Sequence, residues 1–136
     1  MARPETPLLT VDCVAIDHEG RIALIRRRNP PFQGALALPG GFVDIGETVE
    51  AACRRELLEE TSLVAGELTL LGVYSDPRRD PRGHTCSIVY VTDIGSQVPT
   101  AGDDAAAVEM IANWREHDLA FDHAKILADA ENLRRA

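Results

Sequence analysis

The sequence predicts an α/β layered domain. β-branched, apolar runs at 8–17, 21–28, 67–75 and 85–94 are bounded by turn residues, as strands are. Two other stretches, following Thr48 and Asp122, repeat apolar residues three and four apart, the helical spacing. Interleaving the two kinds of element implies helices packed on a sheet. The 136 residues, 45% of them hydrophobic, suit one compact domain over 1–136 with a single core.

LLTVDCVAID (8–17) reads as a strand, HEG (18–20) as a turn and RIALIRRR (21–28) as the returning strand of a hairpin. NPPFQG (29–34) is punctuation, ALAL (35–38) a short strand and PGG (39–41) a break. A helix starts at the capping residue Thr48 and ends near Ser62. ELTLLGVYS (67–75) and TCSIVYVTDI (85–94) are strands on either side of the polar loop DPRRDPRGH (76–84). AAVEMIANW (106–114) fits helix or strand, and we read it as a strand. Asp122 is placed to cap a last helix whose stripe is Ile126, Ala130 and Leu133, supported by Leu127. No internal repeat or low-complexity tract interrupts this order.

The net charge of −8 argues against a binder of nucleic-acid polymers, which need a surplus of Lys and Arg to neutralise phosphates. A small anionic ligand is still compatible, because Arg26, Arg27 and Arg28 cluster, as do Arg78, Arg79 and Arg82. Cys13, Cys53 and Cys86 lie too far apart for a zinc site, and Cys13 and Cys86 are expected as buried reduced thiols. The N-terminus lacks a basic segment followed by a long apolar run, and no stretch approaches the roughly 20 apolar residues of a membrane span. The expectation is a soluble cytoplasmic protein with no membrane partner.

GETVEAACRRELLEETSL (46–63) carries the chemistry. Val49, Ala52 and Cys53 define the apolar face of the helix, and the same face continues through Glu56 and Glu60, with Glu59 at its edge. Carboxylates on an inward face destabilise unless positive charge stands opposite them. A hard divalent cation removes both their repulsion and their burial cost, and Mg²⁺ prefers oxygen ligands. Arg55, four residues before Glu59, can hold it and balance charge. On the helix alone, a solvated acidic face with an Arg55–Glu59 pair is the favoured reading, because charge runs usually face water. Upstream, PGGFVDIGE places Gly40, Gly41 and Gly46 around an extended stretch, and glycine lets backbone approach a metal or phosphate closely.

Gly41, Glu47, Arg55, Glu56, Leu57, Glu59, Glu60 and Leu63 together resemble the Nudix box, G-x5-E-x7-R-E-U-x-E-E-x-G-U, over residues 41–63. Ser62 departs from the pattern, where the family has a helix-closing glycine. It must adopt the turn at a steric cost or end the helix differently. The resemblance implies a Nudix α/β/α sandwich with a mixed sheet between helices, and hydrolysis of a nucleoside diphosphate linked to another group. It implies Mg²⁺, with Mn²⁺ as a substitute, held by Glu56, Glu60 and the Gly40 carbonyl. Glu59 is implied as a further ligand or as the group that deprotonates water. Arg55 and Glu47 would orient these groups.

RRRNPPFQGALALPGGFVD, YSDPRRDPRGHTCSIVYV and LAFDHAKILADA look like the small ADP-ribose pyrophosphatases, which form AMP and ribose 5-phosphate. Arg79, Arg82 and His84 in the basic loop, with Gly41 and Phe42 in the glycine turn, are candidates to hold such a substrate. Arg26 and Arg27 alternate on a strand, so at most one faces a ligand, and we take Arg27. The relatives usually carry a catalytic glutamate on a loop after paired aspartates. Equal spacing to LAFDH puts Ala107 at that position, with Asp104 and Glu109 as substitutes if the loop shifts. Trp114 is expected in the core or at an interface, and His123 near the substrate. Two alternatives stay open: a Nudix hydrolase of nucleoside triphosphates or oxidised nucleotides, and a non-catalytic ADP-ribose sensor. The short chain after LAFDHAKILADA leaves no room for a winged DNA-binding domain, which weighs against the sensor. Homodimers are common among the relatives and are the oligomer the resemblance suggests.

Overall fold

A computed structural model describes residues 2–102 and 105–135. In chain order the elements are β1 (Leu8–Asp17), β2 (Ile22–Arg27), β3 (Leu36–Ala37), β4 (Gly40–Phe42), α1 (Val49–Thr61), β5 (Thr69–Tyr74), β6 (Thr85–Gly95), β7 (Ala105–Ile111), a 3-10 turn (Trp114–Glu116) and α2 (His123–Arg135). The sheet is mixed, as the family resemblance implied. β1 runs parallel to β6 and antiparallel to β2 and β4, β2 also pairs β3 and β7, and β5 closes the far edge against β6.

β1 explains the layering. Its side chains alternate between two faces: Val11, Cys13 and Ala15 join Ala52, Cys53, Leu57 and Leu63 beneath α1, whereas Val14 and Ile16 join Trp114, Ile126, Leu127 and Ala130 beneath α2. Burial on both faces is why the strand reads as a nearly unbroken apolar run. Asp12 shares the α2 face with Val14 and is buried there. No helix among the described residues is long and apolar enough to cross a membrane.

Several expectations need correction. The break expected at 39–41 is β4 from Gly40 onward, because Thr10–Asp12 of β1 offers it a partner: Asp12 lies opposite Gly40 and Val11 opposite Gly41. The strand read through Trp114 stops at Ile111, and Trp114 begins the 3-10 turn with its ring buried. Leu133 is exposed rather than in the stripe, Cys86 is only half-buried, and the thiols of Cys13 and Cys53 are buried and unbridged. Asp122 does not use its carboxylate as a cap; both oxygens accept from Arg79. Ser62 does adopt the left-handed turn, with φ of 63°, and its Oγ donates to the Thr100 carbonyl.

Candidate active site

α1 is fixed at its start by Thr48, whose hydroxyl accepts from Ala51 N–H, and it carries its acidic face into a cleft of about 420 Å³. That volume lies within the range of small-molecule sites. The cleft is walled by β1, β2, β4 and α1, by the 76–84 loop, and by the segment entering α2.

Arg55 organises the acidic wall. Its Nε and Nη2 donate to the two oxygens of Glu47 at 2.7 and 2.9 Å, a bidentate pair. Nη2 also reaches the Phe42 carbonyl, and Nη1 donates to Glu56 Oε1 at 2.9 Å and Glu59 Oε2 at 3.3 Å. Hydrogen bonds from Arg55 and from Asp44 N–H hold the Glu47 carboxyl at about 2, below the usual glutamate range. Neither Arg55 nor Glu47 lines the cleft; they brace those that do.

Glu60 is buried, and its Oε1 accepts from Gly40 N–H at 3.1 Å. Burial first, then a hydrogen bond shared with Glu56, pushes its carboxyl up to about 9. The glycines make this approach feasible. A Cβ on Gly41 would lie 2.6 Å from Glu56 Oε1, and one on Gly40 would collide with the Val11 carbonyl and Asp12 Oδ1. Glu59, by contrast, has its side chain 58% exposed at the cleft rim.

Among the described residues, no three His, Cys, Asp or Glu side chains form a ready-made metal cage. The donor set nevertheless fits a hard divalent cation. Glu60 and Glu56 lie together on the cleft lining, burial raises the proton affinity of Glu60, and the Glu59 carboxylate stands beside them. Positive charge there would release the proton and free both side chains as oxygen donors.

Cationic and aromatic side chains line the same cleft: Arg27, Arg82, Arg79, Phe121 and His123. Arg82 forks onto Asp80, and Arg27 donates Nε to the Pro31 carbonyl. Arg79 is buried and already bound to Asp122 and Thr85, so it serves as a strut joining the loop, β6 and α2. His123 accepts from Leu38 N–H on Nδ1, so in the neutral ring the proton sits on Nε2, 3.5 Å from Asp12 Oδ1. Burial lowers the His123 pKa and raises that of Asp12, to which Ser87 Oγ also donates.

Gly40, Gly41, Phe42, Glu56, Glu59, Glu60, Arg27, Arg79 and Arg82 therefore meet in one cleft. His84 does not; it lines the neighbouring groove by Leu8 and its Nε2 contacts the Ser75 carbonyl. Arg26 turns away and pairs with Glu109 at 2.7 Å, which engages one of the two substitutes considered for a loop acid. Asp104, the other, lies outside the described residues. Asp12, Asp80 and Phe121 were missed. The only signal for Asp12 was an acid inside an otherwise apolar strand.

A Nudix domain profile matches residues 6–133. The chain belongs to the Nudix family. An ADP-ribose pyrophosphatase of Methanocaldococcus jannaschii is 50% identical over 123 residues, which cover 90% of this chain and 72% of that protein. Among solved structures, the Nudix domain of Shewanella oneidensis NrtR complexed with ADP-ribose has a TM-score of 0.88 at 30% identity, over 94% of this chain and 88% of that one. A bifunctional NMN adenylyltransferase/ADP-ribose pyrophosphatase of Francisella tularensis, complexed with AMP and a Mn ion, has a TM-score of 0.79 at 30% identity. This Nudix chain covers 42% of that larger protein.

Proposed function

We propose that this Nudix chain is a hydrolase that splits the diphosphate of ADP-ribose, adding water across the P–O–P bridge to give AMP and ribose 5-phosphate. The observation that carries the reading is one cleft lined by both carboxylates and guanidiniums, in a chain half identical to an ADP-ribose pyrophosphatase. Glu56, Glu60 and the Gly40 carbonyl would hold a divalent cation, Mg²⁺ or Mn²⁺, with Glu59 beside it. Such a cation supplies charge neutralisation at the phosphate oxygens and a lower pKa for the attacking water.

The protein's own groups do the rest. Arg55 and Glu47 keep Glu56 and Glu59 aimed into the cleft. Glu59, the most solvent-open of the three carboxylates, would accept the water's proton; Ala107 offers no acid and Glu109 is engaged by Arg26. Arg27 and Arg82 would bind the diphosphate oxygens, Arg79 would hold its wall in place, and Gly41 and Phe42 would border the substrate. We also expect one domain over 1–136, a cytoplasmic location and a homodimer, which light scattering at twice the chain mass would reveal.

A substrate panel with Mg²⁺, read by product identity, tests the reading. AMP plus ribose 5-phosphate supports it. A nucleoside monophosphate plus pyrophosphate points to a triphosphate hydrolase, and tight ADP-ribose binding without turnover points to a sensor.

A further inference from the structure

The cationic part of the cleft lining has a feature that the carboxylate chemistry does not use. The guanidiniums of Arg27 and Arg82 both lie over the ring of Phe121, at 5.0 and 5.6 Å from its centroid. Arg27 ends β2 and Arg82 belongs to the 76–84 loop. Two like charges from distant parts of the chain thus share one aromatic ring, whose negative face attracts both.

Phe121 is itself held. Its backbone is left-handed, with φ of 53°, an uncommon state for a non-glycine residue that persists only when the surroundings enforce it. On one side Ala120 N–H donates to the Leu36 carbonyl at 2.8 Å; on the other Asp122 is clasped by Arg79. Phe32, also left-handed at φ of 59°, packs edge-on to the ring at 5.0 Å. His123 completes the surround at 5.3 Å.

We propose that Phe121 is a positioning residue: its ring sets the separation of Arg27 and Arg82 so that the pair grips the diphosphate of the substrate. The inference rests on the diphosphate reading of the cleft and assigns a role within it. The ring touches no reacting atom and acts through the two arginines. Its loss therefore weakens ground-state binding more than turnover.

Steady-state hydrolysis of ADP-ribose by Phe121→Leu and Phe121→Tyr tests this. The leucine variant should raise KM by about tenfold with kcat changed less than about threefold, and tyrosine, which keeps the π face, should return KM to within about twofold of the parent. Phe121→Met, longer and more adaptable in packing, replaces leucine if that variant's melting curve shows it unfolded. In an Arg27→Gln background the leucine substitution should add less than about twofold to KM, because one member of the pair whose separation the ring sets is gone. A leucine or methionine variant with unchanged KM, or a tyrosine variant no better than leucine, overturns the proposal. If the parent protein does not turn over ADP-ribose, the function reading fails by itself. Calorimetric binding of inorganic pyrophosphate to parent and variants then decides the inference: weaker binding in leucine but not tyrosine supports it, and equal binding overturns it.

Discussion

At the residue scale the account turns on Glu56 and Glu60. Glu56→Gln and Glu60→Gln should each lower turnover by about two orders of magnitude or more, with far-ultraviolet circular dichroism unchanged, since amides of the same shape lose only the anionic oxygens. Burial of Glu60 beside Glu56 gives a pH signature. With its carboxyl pushed up to about 9, Glu60 binds a proton that a divalent cation must displace. Apparent metal affinity should climb as pH rises, by at most about tenfold per pH unit, and level off near that value. In the metal-free protein the sign is opposite. The folded state retains this proton while the unfolded chain has lost it, so Glu60's contribution to stability is complete below pH 4.5 and fades as pH rises towards about 9. Calorimetric titration with Mn²⁺ across this range measures the first effect, and melting in chelator measures the second. Glu56, Glu60 and Arg55 could be identified in the sequence because helical spacing puts them on adjoining faces and the glycine turn before the helix completes a recognisable motif. Asp12 and Phe121 could not, because their partners come from elements tens of residues away.

At the element scale, α1 was the most legible part of the chain. Thr48 and Ser62 are its caps, as the sequence suggests, because capping is local chemistry. Ser62 holds the left-handed position at φ of 63°, which glycine would occupy without strain. Ser62→Gly should therefore stabilise the protein by about 0.5–1 kcal/mol and raise its Tm by a few degrees, despite losing the contact to Thr100. An unchanged or lower Tm would mean that the Thr100 contact outweighs the backbone strain. β4 was less legible. Proline and two glycines carry the local signature of a turn, and only pairing with β1 makes the segment a strand. Its glycines also set the depth of the site. Gly41→Ala would place a methyl 2.6 Å from Glu56 Oε1, so the carboxylate must move. We expect weaker Mn²⁺ binding and turnover reduced at least about tenfold with the sheet intact, assayed side by side with the parent.

At the scale of the whole molecule, the layered fold brings opposite charges into one cleft in a chain with a net charge of −8. The strand and helix inventory was visible in the sequence because it rests on hydrophobic period. The register that lays Gly40 against Asp12, and the meeting of the 76–84 loop with the entry to α2, arise from non-local pairing and were not visible. The loop's arginines show the difference: composition marked all of them, but the fold made Arg79 a buried strut and left Arg82 facing the cleft. The central claim is that α1's inward carboxylates hold the cation that acts on a diphosphate lying against Arg27 and Arg82. Anomalous scattering from a crystal soaked in Mn²⁺ and ADP-ribose measures this directly. The account predicts a manganese peak between the Glu56 and Glu60 carboxylates, beside the diphosphate. Strong density for the ligand with no peak there, or with manganese bound elsewhere, would contradict it.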